Sequence, residues 1–190
     1  MMIRFAVVGD IGSGKSFISN LFNYPVFNAD LEVADIYKKN KSCFLKIKKK
    51  IPNHFSSFPI KKDELIGSIM ADKDNLKKIS SIVHPIVRKK LNIFLKKNKN
   101  KKLVVLDIPL YFENKLNKKN DIIIFIDSKK KQILKQLKKR KNFNLSLINQ
   151  LKSLQYPLKY KKKKSDFIIK NDYKIRTVKN NIKEILKKVK

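Results

Sequence analysis

Short apolar segments and longer amphipathic segments alternate along the chain. Three segments, at residues 3–8, 103–108 and 122–126, are hydrophobic at nearly every position, which predicts strands that are buried on both faces. Shorter apolar segments at 26–27 and 167–169 predict two further strands. Between them, apolar residues recur at helical spacing. This alternation predicts an α/β fold in which a parallel sheet is flanked by helices.

One long region carries only helical patterns, between residues 31 and 97, with breaks near 41, at 52–59 and at 72–75. We therefore expect one compact chain in which residues 1–30 and 101–190 form the core and 31–100 form a helical insertion. Further helices are expected at 129–140, capped by Asp127 and Ser128, at 145–155 and at 175–189.

A glycine-rich segment follows the first predicted strand. Residues 9–16 read Gly-Asp-Ile-Gly-Ser-Gly-Lys-Ser, which fits the phosphate-loop pattern G-x-x-x-x-G-K-[ST], and they hold three of the four glycines of the chain. The segment lies between a predicted strand and a predicted helix, as this motif requires. The sequence therefore predicts a site for a nucleoside triphosphate and does not identify the acceptor.

The chemistry of such a loop assigns a role to each of its residues. Backbone N–H groups wrap the phosphates closely, which the absence of side chains on glycine permits, and the helix dipole adds positive potential. Lys15 is expected to reach the β- and γ-phosphates, and the Ser16 hydroxyl to ligate Mg²⁺. The predicted ATP-binding residues of this segment are Gly12, Ser13, Gly14, Lys15, Ser16 and Phe17.

The net charge of +32 is extreme, but its distribution is diffuse. Of 47 basic residues only four are arginine, and the lysines occur on nearly every predicted helix together with many asparagines and isoleucines. This pattern favours compositional drift over a dedicated nucleic-acid surface. We expect no specific nucleic-acid partner, because loose attraction to polyanions follows from the charge alone.

Other features of the composition bear on the cellular compartment of the protein. No apolar segment approaches the ~18 residues needed to cross a bilayer, so no membrane partner is expected. The single cysteine, Cys43, cannot form an internal disulfide, which suits a reducing cytoplasm. The chain is expected to be a monomer or a small homo-oligomer.

Several motifs, in the same order along the chain, resemble the dephospho-CoA kinase family. They are the loop at 9–16, Asn28-Ala29-Asp30, His84-Pro85, Leu106 to Glu113, Gln155 to Leu158, and Asp166 to Asn171. The resemblance implies phosphorylation of the ribose 3′-hydroxyl of dephospho-CoA by ATP, with Mg²⁺. It also implies a parallel five-stranded core, a helical acceptor-binding insertion and a helical lid around residues 136–165.

The resemblance also implies the catalytic residues beyond Lys15. Asp30 would orient the acceptor hydroxyl or take its proton, and the alternative is a helix N-cap. Asp107 would hold a Mg²⁺-bound water or the loop hydroxyl, or would cap the turn after its strand. The guanidinium of Arg140 suits contact with phosphates, although this residue could also cap the C-terminus of its helix.

Binding roles follow from the same resemblance. Arg88 is expected to contact the phosphates of the acceptor, and His84 to contribute to the same site as a packed residue rather than as a catalyst. Asn171 is expected to contact ATP. Six positions depart from the family pattern: Asp10, Asn28, Gln136, Lys141, Leu151 and Lys170.

Two other functions remain open from the sequence. One is a related phosphate-loop kinase that acts on a nucleoside, a nucleotide or a sugar acid, because the loop pattern is widely shared. The other is a basic nucleic-acid-binding protein in which the loop is vestigial or regulatory. The scarcity of arginine and the absence of a basic aromatic platform argue against the second.

Overall fold

The computed structural model of the chain describes residues 2–140 and 143–189. They divide into two compact units, one formed by 1–28 with 98–190 and the other by 29–97. Within the described ranges, no helix is both long and apolar enough to span a membrane.

The first unit is built on five strands. All pairings are parallel, and the strand order is β2-β3-β1-β4-β5, so the prediction of a parallel five-stranded sheet is confirmed. The strands are β1 (Ile3–Gly9), β2 (Val26–Asn28), β3 (Leu103–Asp107), β4 (Asp121–Asp127) and β5 (Phe167–Lys170).

Helices connect and cover these strands. In chain order they are α1 (Lys15–Leu21), α2 (Ala29–Lys39), α3 (Lys41–Lys50), α4 (Lys62–Ala71), α5 (Lys73–Lys97), α6 (Lys130–Lys138), α7 (Leu145–Ser153), α8 (Leu158–Lys163) and α9 (Ile175–Lys188). A short 3₁₀ helix spans Pro52–His54. Helix α1 packs on β1, β2 and β3, α8 on β1, and α9 on β5.

The core of the first unit explains the continuous apolar character of its strands. Every residue of β3 is buried, as are the last five residues of β1, because helices cover the sheet. Phe5 of β1 and Phe22, just after α1, meet edge to face with ring centroids 5.4 Å apart. Since the strands are parallel, their carboxyl ends share one edge of the sheet, and β1 delivers the phosphate loop to that edge.

The second unit consists of α2 to α5. Its buried face collects apolar residues that recur at helical spacing, including Ile36, Phe44, Ile47 and Val83. Lys90 on α5 pairs with Glu32 at 2.7 Å and with Asp35 at 3.0 Å, which ties α5 to α2. The hydrogen-bonded ion pair with Lys39, and after it that with Lys90, holds the pKa of the Asp35 carboxyl below its usual value.

One local prediction is wrong. Asp127 and Ser128 do not cap α6, because the helix begins after Lys129 without a side-chain cap. Instead, the Asp127 carboxylate pairs with Lys162 at 2.7 Å, and Ser128 donates a hydrogen bond to the phosphate loop. In the lysine run at 161–164, Lys161 is completely buried.

Lys161 joins α8 to the segment that follows β3. Its Nζ lies 2.7 Å from Oε1 of Glu113, a side chain that is 8% exposed, and 3.4 Å from the Pro109 carbonyl oxygen. The same Glu113 oxygen accepts a hydrogen bond of 2.7 Å from the Tyr156 N–H. A buried charge of this kind is stable only while its partner is present.

We expect Lys161→Met to lower the free energy of unfolding by about 3–5 kcal/mol, because it leaves the Glu113 carboxylate buried and unpaired. Adding Glu113→Gln should recover most of the loss, since the amide keeps an acceptor for Tyr156 without a charge. Lys163→Met, at an exposed lysine of the same helix, is the matched control and should change stability by less than about 0.5 kcal/mol. Chemical denaturation measures all four proteins, and a double variant no more stable than Lys161→Met would contradict this account.

Candidate active site

The phosphate loop connects the end of β1 to the start of α1. Gly14 is the N-cap of α1, with a φ of 91° and no side-chain cap. A Cβ atom there would lie 2.6 Å from Nδ2 of Asn171, and the left-handed φ strains any residue with a side chain, so the position favours glycine. The first bond of α1 runs from Ile18 N–H to the Gly14 carbonyl, and the N–H groups before it have no carbonyl partner within the helix.

Several carbonyl groups of the loop accept hydrogen bonds from side chains. Nζ of Lys15, a side chain that is largely buried, donates to the carbonyl oxygens of Gly9 at 3.3 Å and Asp10 at 2.8 Å. The Tyr173 hydroxyl donates to the Gly12 carbonyl at 2.9 Å.

The Ser13 carbonyl has two donors, Nδ2 of Asn171 at 2.8 Å and Oγ of Ser128 at 3.0 Å. A trans peptide group points its N–H opposite to its C=O. Holding the Ser13 carbonyl therefore turns the next amide, that of Gly14, to the opposite side of the chain. The loop thus places the oriented Gly14 amide next to the first turn of α1. Such an arrangement binds anions.

Tyr173 is fixed against the loop by its own backbone. It adopts a φ of 63°, which is unusual for a residue with a side chain, and its N–H donates to Oδ1 of Asn171 at 2.9 Å. Burial raises the pKa of its hydroxyl, and a hydrogen bond with Ser128 and the charge of Arg140 act in the opposite direction. The charge of Arg140 thus lies within electrostatic range of the Tyr173 hydroxyl.

The carboxylate of Asp10 is inside the loop but is neutralised. Its Oδ1 accepts from Ile11 N–H at 2.7 Å, and its Oδ2 pairs with Nζ of Lys152 on α7 at 3.2 Å. A carboxylate at this position would otherwise repel phosphate. The ion pair is thus the feature that accommodates this departure from the family pattern.

Asp107 ends β3 on the other side of β1. It is aligned with Val7 of β1 and Asn28 of β2, and it is 2% exposed. Its Oδ2 accepts a hydrogen bond of 2.7 Å from Nδ2 of Asn28. An aspartate in place of Asn28 would set two carboxylates against each other, so the amide at this departing position holds Asp107 without repulsion.

Three predicted residues belong to the second unit. Asp30 is exposed in the first turn of α2, and because that helix begins at Ala29, the alternative of an N-cap is wrong. His84 and Arg88 lie four residues apart on α5 and therefore on one face of it. His84 is partly buried and Arg88 is exposed.

The remaining predicted residues lie in the first unit. Ser16 and Phe17 are exposed at the start of α1. Arg140 is exposed and lies beyond α6, whose last residue is Lys138, so the expectation that it ends the helix is wrong. Gln136, Leu151 and Lys170 lie on α6, α7 and β5, and Lys141 lies outside the described residues.

Sequence reasoning missed three residues of this site, namely Ser128, Lys152 and Tyr173. The unusual Asp10 was a signal that a cation must lie nearby, but 47 basic residues offered no means of choosing one. Ser128 and Tyr173 carried no signal, because their role arises only when β4 and β5 lie beside β1.

A family model and curated relatives identify the same family. Residues 3–177 match the family model described as dephospho-CoA kinase. The dephospho-CoA kinase of Wolbachia sp. subsp. Brugia malayi (strain TRS) is 33% identical over 185 residues, which are 95% of this chain and 94% of that protein.

Solved structures show the same fold. TT1252 from Thermus thermophilus superposes with a TM-score of 0.79 at 23% identity, covering 100% of this chain and 98% of that one. The dephospho-CoA kinase from Campylobacter jejuni superposes with a TM-score of 0.64 at 23% identity, covering 98% and 96%. Because the family model matches nearly the whole chain, and a relative above 30% identity spans it as well, this chain belongs to the dephospho-CoA kinase family.

Proposed function

We propose that this protein transfers the γ-phosphate of ATP to the ribose 3′-hydroxyl of dephospho-CoA, giving coenzyme A and ADP. The observation that carries the proposal is the phosphate loop at the end of β1, whose carbonyl groups accept hydrogen bonds from Lys15, Asn171 and Tyr173. Family membership selects the acceptor among those that such a loop could serve.

The nucleotide end of the site uses the residues of the loop and its supports. The backbone from Gly12 to Phe17 would receive the phosphates, and Lys15 would exchange its carbonyl partners for the β- and γ-phosphate oxygens. Asn171 would act through the loop, because its amide is already used in holding Ser13 and Tyr173.

Magnesium would arrive with the nucleotide. The described residues hold no group of three His, Cys, Asp or Glu side chains that could bind a metal unaided. They do offer the exposed Ser16 hydroxyl and the Asp107 carboxylate, and Mg²⁺ favours such a sparse oxygen set completed by phosphates and water. When bound, Mg²⁺ neutralises charge that develops on the phosphate oxygens.

The reaction exchanges one P–O bond for another. The acceptor oxygen bonds to the γ-phosphorus while the bond from that phosphorus to the bridging oxygen breaks, and ADP leaves with the electron pair. In the proposal the hydroxyl proton passes to Asp30, which follows the end of β2 by two residues, at most about 7 Å of chain. Arg140 and Lys15 would stabilise the charge on the transferred group.

The acceptor would be held mainly by the unit of residues 29–97, with His84 and Arg88 on one face of α5. Residues 136–165 would form the lid, and this range includes α7 and α8. We place the reaction in the cytoplasm, and we propose a monomer or a small homo-oligomer without a nucleic-acid partner.

Turnover of dephospho-CoA with ATP and Mg²⁺ tests the assignment directly. We expect Lys15→Ala to lower kcat by about 10²-fold or more, because the cation on the transferred phosphate is lost. Lys163→Ala, at an exposed lysine, is the control and should leave kcat unchanged. Phosphorylation of a nucleoside monophosphate, and none of dephospho-CoA, would overturn the choice of acceptor.

Asp30→Asn tests the proton acceptor. We expect kcat to fall by about 10²–10⁴-fold, while the affinity for ATP changes little, because the amide keeps the size of the side chain but cannot take the proton. Single-turnover rates and calorimetric ATP binding separate the two effects. Equal losses in rate and in affinity would remove Asp30 from the catalytic residues.

Tyr173→Phe tests the support of the loop. Losing one neutral hydrogen bond to the Gly12 carbonyl is worth about 0.5–1.5 kcal/mol, so we expect ATP to bind about 2- to 10-fold more weakly. Tyr160→Phe, at an exposed tyrosine of α8, is the matched control. Unchanged ATP affinity in a folded Tyr173→Phe protein would show that the Tyr173 hydroxyl is dispensable for the loop.

A further inference from the structure

A carboxylate lies inside the loop that receives a triphosphate. Asp10 is only 8% exposed, so solvent screens its charge poorly. Its oxygens are both engaged, one by the adjacent Ile11 N–H at 2.7 Å and the other by Nζ of Lys152 at 3.2 Å. The amide fixes the direction of the carboxylate, and the ammonium group balances its charge.

Lys152 comes from a distant part of the chain. It lies 142 residues after Asp10, on α7, and its side chain is 40% exposed. Among the described residues, it is the cation that forms an ion pair with Asp10. Its ammonium group reaches the largely buried Asp10 carboxylate, while the rest of the side chain stays partly exposed.

Other lysines near the loop do not have this geometry. Asp10 lines a cavity of about 340 Å³ beside the end of β4, together with Lys130, Lys159 and Lys162. Lys162 is already paired with Asp127 at 2.7 Å. Lys130 and Lys159 contribute positive potential around the cavity, but only Lys152 has its ammonium group on the carboxylate among these four.

We propose that Lys152 is a positioning residue for the nucleotide, which neutralises Asp10 and holds its carboxylate away from the phosphate path. Without this partner, Asp10 would repel the triphosphate from within the loop. The same ion pair attaches α7 to the loop, so nucleotide affinity depends on the placement of this helix. The inference rests on the proposed function of the loop as the ATP site.

The test is a double-mutant cycle on the full chain, with Asp10→Asn, Lys152→Met and the combined variant. Calorimetry measures the Kd of ATP with Mg²⁺ at low and at high salt, and thermal unfolding verifies that each protein is folded. Lys130→Met is the control, because it removes an equal charge from an exposed lysine of the same cavity that lies outside the proposed lid. Lys152→Arg tests whether another cation restores binding.

We expect Lys152→Met to raise the Kd about tenfold or more at low salt, with a smaller effect at high salt as screening increases. Asp10→Asn, the double variant, Lys152→Arg and the control should all stay within about threefold of wild type. Wild-type affinity in Lys152→Met would overturn the inference. So would a double variant as weak as Lys152→Met, since Lys152 would then act on the nucleotide without Asp10. If the wild-type protein bound no ATP, the proposed function itself would fail.

Discussion

The orientation of a few peptide groups between β1 and α1 is the constraint on which the rest of the structure depends. An anion site made from backbone amides exists only if the carbonyl groups of the same chain segment point elsewhere and find donors there. Here those donors are Lys15 from the loop itself, Ser128 after β4, and Asn171 and Tyr173 after β5. The sheet is therefore part of the binding site, since it sets these residues beside the loop.

Strand order divides the site into two halves. β4 and β5 lie on one side of β1 and supply the side chains that hold the loop. β3 and β2 lie on the other side and end in Asp107 and Asn28, which are joined by a hydrogen bond. The chain leaves β2 directly into α2 and so into the second unit. In the proposed reaction, the residues on one side of β1 hold the loop that binds the nucleotide. The other side supplies the Asp107 carboxylate and leads along the chain to Asp30.

The predictable features were those with a local cause. Strands buried on both faces, such as β3, are apolar at nearly every position, and the loop is marked by glycines that the backbone requires, such as Gly14 with its φ of 91°. Features that depend on residues far apart along the chain could not be predicted. Ser128 resembles a helix cap in sequence, but the loop beside it offers a carbonyl acceptor. Lys161 resembles its exposed neighbours, yet it is buried against Glu113, whose position depends on the turn after β3.

The burial of Lys161 has a consequence for anyone who redesigns this protein. A chain with a net charge of +32 invites replacement of lysines by neutral or acidic residues, to improve crystallisation or to limit adhesion to nucleic acids. The composition alone does not distinguish lysines that can be replaced from lysines that the structure requires. The ion pairs of Lys161 and Lys152 show that such a programme should choose positions by their surroundings, because these two lysines balance carboxylates that are largely buried.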